Sequence, residues 1–311
     1  MHKYKHKKTS ELDKLWVVTV ISNPERYKSR YELYKRFLQH MEESHVNLIT
    51  VELAHGDRPF EITEELNPNH VQLRTKDEIW HKENMINIGI SKLPPDWKYV
   101  AWIDADIKFS REDWAEEIVH LLQQYDVIQL FQHAVDLGPT GEVLKVNNGF
   151  VYSWENKLDP KNNYSSHHPG FGWACTKEAF NHLGGLIDFA VLGAGDRHMA
   201  MALIGKVEQT TDKRLSDGYK ESLLIWEKRA NRHIRQNIGF MEGTIFHMFH
   251  GSKRKRFYSD RWKILLNHKF DPEFDLKKDW QGLYTFTDEG LRLRNDIRNY
   301  FRSRDEDSSE I

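Results

Sequence analysis

Two aspartates one residue apart, Asp104 and Asp106, close a short apolar run in K-Y-V-A-W-I-D-A-D-I-K-F, Lys98 to Phe109. Strand side chains alternate faces, so residues two apart point the same way and both carboxylates can aim at one point off the strand's end. Such a pair is a perch for a divalent cation. Far later, F-H-M-F-H-G-S-K-R-K-R, Phe246 to Arg256, sets His247 and His250 three apart, a spacing that brings both to one side of a helical turn. Neutral imidazole ligates Mn-class ions. The basic run that follows, with Lys253 and Arg256, suits a diphosphate. Between these clusters lie H-P-G-F-G-W-A-C-T-K-E-A-F, His168 to Phe180, and G-G-L-I-D-F-A-V-L-G-A-G-D, Gly184 to Asp196. Their glycines, Gly172 and Gly195 among them, allow close backbone approach to a ligand, and Phe171 and Trp173 offer flat surfaces on which sugars stack. Asp196 precedes the apolar Met199 to Leu203 segment, which places it near a helix N-terminus, where a carboxylate could take a proton from an acceptor hydroxyl.

Each cluster also has a plainer reading. Paired acids are common in loops, a chain with 17 histidines produces chance pairs, aromatic positions are more often core, and a basic run can be a solvated face. Placement favours chemistry for the aspartates, because an apolar strand delivers them to a sheet edge. A Walker-type triphosphatase would need G-x-x-x-x-G-K-[ST], which does not occur. A sugar nucleotidyltransferase would show a Gly- and Arg-rich loop after its first strand, and I-S-N-P-E-R-Y, Ile21 to Tyr27, is not one. A carboxylate pair without a phosphate loop suits a nucleotide-sugar transferase, in which Mg or Mn bridges the enzyme and the donor's diphosphate and neutralises the leaving phosphate.

The elements that must position these residues alternate through the first half. Leu15 to Ile21 reads as a buried strand bounded by Ser22-Asn23-Pro24. Tyr27, Tyr31, Tyr34, Leu38 and Met41 give one apolar helical face. Leu48 to Leu53 is a second strand, and Ile79, Ile86, Ile90 and Leu93 mark a helix stopped by Pro94-Pro95. After the aspartate strand, Ser110-Arg111-Glu112-Asp113 has the form of a capping box before a helix carrying Trp114, Ile118 and Leu121, and Asp126 to Phe131 is the next strand. Strands separated by helices imply a doubly wound, mostly parallel sheet flanked by helices, with ligands beyond the strands' carboxyl ends. From about residue 138 the pattern loosens, with strand-like pieces at Gly149 to Trp154 and Gly170 to Cys175. We expect a basic extension at 1–10 and one catalytic domain over 11–290. Its donor half spans about 11–135 and its irregular acceptor and metal-closing half about 136–290, with 206–236 an insertion. The end of a helix and a disordered acidic tail occupy 291–311.

The chain has 311 residues, enough for one large α/β domain. Hydrophobic content of 39% with 10 Trp marks a folded body. A single cysteine, Cys175, excludes a disulfide framework and suits a reducing compartment. The basic N-terminus has no apolar segment after it and nothing approaches a membrane span, so the expected location is the cytoplasm, either a bacterial cytosol or a host cytosol for a phage-encoded protein. The net charge of -2 names no partner.

The clusters, in this order, resemble the metal-dependent glycosyltransferases of the GT-A fold, particularly the β-1,4-galactosyltransferase-like group. W-I-D-A-D-I is similar to that group's strand-end D-x-D. T-K-E-A-F at 176–180 resembles its S/T-K-x-x-F segment, G-A-G-D at 193–196 a reduced form of its G-G-E-D acceptor and base motif, and H-M-F-H at 247–250 its M-x-x-H metal pair, with His247 in place of the methionine. The resemblance covers roughly residues 95 to 260. It implies a Rossmann-like GT-A sheet and Mn2+ or Mg2+ held by Asp106 and His250 with His247 as third ligand. Asp104 would contact metal or nucleotide, and Asp196 would be the general base. It also implies a nucleoside-diphosphate sugar donor such as a UDP-sugar. Thr19, Asn23 and Arg26 would lie where such folds hold the nucleobase and ribose, and Lys82 and Asn84 would face the donor. Inversion or retention stays open, because G-A-G-D carries one acid where the family shows several.

The expected acceptor is a glycan or another cytosolic hydroxyl. Two other readings stand beside it: a phage-type enzyme that glycosylates hydroxymethylated bases in DNA, for which the basic segments at 2–8, 213–235 and 253–256 would track phosphates, and a non-catalytic nucleotide- or carbohydrate-binding protein of the same fold.

Overall fold

The computed structural model describes residues 11–159, 167–252 and 261–310. Its first strands, β1 (Leu15–Ser22), β2 (Asn47–His55), β3 (His70–Thr75) and β4 (Tyr99–Ile103), pair in parallel. Between them run α1 (Lys28–Glu43) and α2 (Lys82–Ile90). The chain continues through β5 (Ile107–Phe109), α3 (Trp114–Leu121), β6 (Val127–Gln129), β7 (His133–Leu137), β8 (Val143–Asn148) and α4 (Phe150–Glu155). Then come β9 (Gly172–Thr176), α5 (Lys177–Leu183), α6 (Gly195–Leu203), α7 (Asp217–His233), β10 (Ile238–Phe240) and β11 (Thr244–His247). The last described stretch holds α8 (Arg261–Asn267), α9 (Pro272–Asp275), the hairpin of β12 (Leu276–Lys278) and β13 (Tyr284–Phe286), and α10 (Arg294–Arg302).

The result is the expected doubly wound α/β body. Its seven-stranded sheet has the order β10-β6-β9-β4-β1-β2-β3, parallel except for β9, which runs antiparallel to both neighbours. Successive residues of one strand serve opposite layers. Val17, Ala101 and Ile103 pack with Phe37, Trp114 and Ile118 on one face, while Val18, Val100 and Trp102 pack with Met85, Ile86 and Met201 on the other. Burial on both faces is why these strands read as continuous apolar runs. A second sheet, β5-β11-β7-β8, stands beside the first.

Several local expectations are corrected. The run Lys98 to Phe109 is two strands in two sheets, and Asp104 to Asp106 form the turn between them. The side chain of Ser110 caps no helix; its Oγ accepts from Thr244 N at 3.2 Å, and α3 starts from Asp113 without a side-chain cap. Residues 149–154 are mainly helix α4, because Gly149 N is tied to Gln132 O and the following peptides close helical bonds. Within 206–236, α7 packs Tyr219, Leu223, Trp226 and Ala230 into the main core. In the stretch after α10, Arg304 and Glu306 are buried, Glu306 at only 2% exposure, and Asp307 bonds the start of α1.

Candidate metal centre

Strand register assembles the centre. On β11, His247 stands opposite Ile107 of β5 and opposite Asp136 of β7. The turn before β5 is pinned by backbone bonds from Asp104 N to Phe171 O and from Met248 N to Asp106 O, both 2.8 Å. Asp106 Oδ2 therefore lies 3.1 Å from His250 Nε2 and 3.7 Å from His247 Nε2, and the two Nε2 atoms are 3.3 Å apart. Ligands about 2.1 Å from one ion sit about 3.0 to 3.4 Å from each other in octahedral or tetrahedral arrays, so the spacing fits a cation. Asp106 Oδ1 is buried without a hydrogen-bond partner among the described residues, which also fits a group that is completed by a ligand. Among those residues, Asp106, His247 and His250 form the one cluster of three or more metal-competent side chains. The histidines sit at a strand end and in the loop beyond it, where a helical turn was expected.

The far sides of both imidazoles meet acids. His247 Nδ1 is 2.8 Å from Asp136 Oδ1, and Asn147 Nδ2 donates to the other Asp136 oxygen at 2.8 Å. A carboxylate accepts only, so His247 carries a proton on Nδ1, and Nε2, on the side of Asp106, is the nitrogen that would ligate a bound cation. His250 Nδ1 lies 3.6 Å from Glu306 Oε2. Burial opposes ionisation of Asp106, but the two imidazoles outweigh it and hold its carboxyl well below the usual range.

Asp104 faces a different partner. Its Oδ1 is 2.5 Å from Lys82 Nζ. Lys82 and Glu83 open α2, which runs antiparallel to the strands and so presents its N-terminus at their carboxyl edge. Burial raises the Asp104 carboxyl even with the Lys82 ammonium beside it. Burial also pushes Glu83 up to about 7; Lys82 opposes this and Asp196 adds to it. Trp80 Nε1 donates to Glu83 Oε2 at 3.0 Å. Asp196 sits in the first turn of α6, whose cap, Ala194, has φ +83, a strained conformation for a residue with a side chain. Gly195 leaves room for an acid: a Cβ there would lie 2.8 Å from Glu83 Cδ.

These groups line a cavity of about 610 Å³ at the carboxyl ends of β1 and β4, a volume typical of ligand sites. Of the residues singled out in the sequence, Asn23, Lys82, Asp104, Asp106, Phe171, Asp196, His247 and His250 line it. Other expected residues serve the scaffold. Thr19 is buried and donates to Ile103 O at 2.9 Å, fastening β1 to the end of β4. Arg26 lies outside the cavity and pairs with Glu61 at 3.4 Å. Asn84 turns to the β13 side, accepting from Tyr284 N and donating to Gly282 O. Gly172 packs toward Leu130, and Trp173 is a core residue whose Nε1 donates to Pro169 O. Phe171 borders the cavity with one face stacked on His168 at 3.8 Å and His247 4.7 Å away, so it has little free face for a sugar. Lys253 and Arg256 lie outside the described residues. The sequence reading missed Glu83, Asp136, Arg30, Arg304 and Glu306. Asp136 carried a signal, an acid inside the apolar strand H-A-V-D-L; the acid-rich end of the chain carried none.

Glu83 makes one pH prediction. Its folded-state value near 7 exceeds the ordinary value of 4.5, so the folded state binds more protons between these values and stability falls as pH rises through the window. In metal-free buffer, Glu83→Gln should gain on the wild type by about 3 kcal/mol between pH 4.5 and 8. Urea unfolding of both proteins across that range measures the difference, and a constant difference would refute the buried-acid account.

Comparison with protein-family models found no match, and neither did comparison with curated proteins. Solved structures do match. A Desulfovibrio desulfuricans G20 structure assigned as a nucleotide-diphospho-sugar transferase is 12% identical with TM-score 0.36, over 76% of this chain and 82% of that one. Staphylococcus aureus TarS 1–349 in complex with UDP-GlcNAc is 9% identical with TM-score 0.43, over 82% and 69%. A mutant Drosophila β-1,4-galactosyltransferase 7 in complex with manganese, UDP-Gal and xylobiose is 12% identical with TM-score 0.34, over 64% and 63%. Among the described residues no helix is long and apolar enough to cross a membrane.

Proposed function

We propose that this chain is a GT-A-type glycosyltransferase that moves a sugar from a nucleoside-diphosphate donor, a UDP-sugar, to an acceptor hydroxyl. The observation that carries the reading is the convergence of Asp106 Oδ2, His247 Nε2 and His250 Nε2 at the mouth of a carboxyl-edge cavity. Mn2+ or Mg2+ held by these three would neutralise charge on the leaving diphosphate. Asp136 keeps His247 in the ligating tautomer. Asp104 holds the Lys82 ammonium at the N-terminus of α2, where cation and helix end together favour a phosphate. Asn23, at the end of β1, borders the nucleotide region; its Oδ1 accepts from Tyr27 N and its Nδ2 donates to Tyr27 O, which keeps that turn rigid. Asp196, in the first turn of α6, accepts the proton of the attacking hydroxyl. A glycan is the acceptor class we favour, in a cytosolic setting compatible with the buried free thiol of Cys175.

Titration calorimetry of UDP-sugars and other nucleoside-diphosphate sugars, with and without Mn2+, followed by mass spectrometry of products against glycan and hydroxymethylated-DNA acceptors, tests the proposal. We expect binding that requires the ion, and transfer to a glycan. Metal-independent binding would refute the metal-bridged donor. Ion-dependent binding without transfer or donor hydrolysis would make the chain a binding protein, and transfer to DNA would move the acceptor to the phage-type reading.

A further inference from the structure

Beyond α10 the chain returns along the cavity, whose wall includes Arg304 and Glu306. Residues 303–310 lie on the start of α1, on one side, and on the loop that carries His250, on the other. The contacts are specific. Asp307 Oδ1 and Oδ2 accept from Ser29 N and Lys28 N, each at 2.9 Å, and thereby cap a helix whose own N-cap, Tyr27, makes no side-chain cap bond. Ser29 Oγ donates to Glu306 O at 3.0 Å, and Tyr27 donates its hydroxyl proton to Arg304 O. Beside His250, Gly251 at φ +80 admits the strap backbone: a Cβ there would lie 2.3 Å from Asp305 O. Arg304 sits 5.7 Å over the Trp80 ring and, with Glu306, forms part of the cavity wall.

Glu306 is the centre of this strap. Its carboxylate takes Arg30 Nε and Nη2 at 2.6 and 2.8 Å and Arg304 Nη2 at 2.9 Å, while its Oε2 faces His250 Nδ1 at 3.6 Å. Asp136 stands behind His247 in the same way but closer, at hydrogen-bond distance, 2.8 Å from its Nδ1. Both imidazoles therefore present Nε2 to Asp106 with an acid behind Nδ1, an arrangement that orients a histidine and raises its basicity as a ligand. His250 lies in a loop, without the strand that fixes His247, so its orientation depends more on what packs against it.

We propose that residues 303–310 form a strap that readies the metal centre, with Glu306 the positioning residue for His250, so that strap docking and divalent-cation binding favour one another. The inference rests on the metal reading of Asp106, His247 and His250. By linkage, a cation that binds the docked form better must also hold the strap down. The strap is also a wall of the donor cavity, and its docking closes that side before a nucleotide arrives.

The test uses the full chain and Mn2+ alone. Manganese affinity is measured by calorimetry, and by electron paramagnetic resonance of the free ion, for wild type and Glu306→Gln; thermal melts of the apo proteins confirm that both fold. Substituted partners behind a ligating histidine typically change affinity 10- to 100-fold, so a loss of at least about tenfold is expected. Hydrogen exchange over 303–310 should slow when Mn2+ is added to the wild type and change little in Glu306→Gln. Should Glu306→Gln fail to fold, Asp307→Ala unpins the strap at α1 and should likewise weaken Mn2+ binding. Wild-type Mn2+ affinity in the folded variant, or strap exchange indifferent to Mn2+, would overturn the coupling while leaving the centre itself intact. A wild-type protein that binds no Mn2+ would overturn the metal reading and the strap proposal together.

Discussion

Asp106→Ala should abolish Mn2+-dependent donor binding and lower kcat/KM by about 10³-fold or more, the several kcal/mol that a metal supplies to a developing charge. The change removes the oxygen common to both close contacts of the centre, 3.1 Å from His250 and 3.7 Å from His247. Two imidazoles 3.3 Å apart remain, too few ligands to hold a hard cation against water. The fold should tolerate the substitution, because Asp106 lies in a turn held by its backbone carbonyl, which still accepts from Met248 N. A melt without metal separates loss of the site from loss of the fold. Activity and Mn2+-dependent binding that survive Asp106→Ala would end the proposed function in its metal-bridged form.

Asp196→Asn should lower kcat by about 10²- to 10⁴-fold with Mn2+ affinity and donor KM nearly unchanged, the signature of a lost proton acceptor. Asparagine keeps the shape and keeps an oxygen for Arg197 N, which donates to Asp196 Oδ1 at 2.8 Å. What it loses is the capacity to take a proton. Glu83 is the competing candidate, since it borders the same cavity and burial brings it to about 7. The pair of substitutions decides. A kcat that falls in Asp196→Asn and holds in Glu83→Gln assigns the base to Asp196, and the reverse assigns it to Glu83.

Much of the scaffold was legible because its signals are local. The apolar run from Leu15 and the spaced Tyr34 and Met41 need no knowledge of distant residues: burial on two faces or on one stripe is written in each segment's own period. The same holds for α6, where the G-A-G-D turn and the apolar residues after it placed Asp196 at a helix start. Errors came where a tertiary partner outcompetes a local preference. Ser110 has the look of a cap, but its backbone N–H and hydroxyl are already engaged with Thr244. Trp173 has the composition of a sugar platform but belongs to β9, in the middle of the sheet.

By itself the sequence determined the α/β class, the strand that carries Asp104 and Asp106 to a carboxyl edge, and the candidate ligand types on either side of a glycine-rich segment. Tertiary structure alone decided which of these side chains meet. The register of β5, β11 and β7 sets Asp106, His247 and Asp136 together, the direction of α2 gives Asp104 to Lys82 and leaves Asp106 to the histidines, and the return of the chain after α10 brings Glu306 to His250. Periodicity is a property of one segment, whereas register and chain return follow from how all segments pack at once, so which acid stands behind each histidine could not be read from either neighbourhood alone.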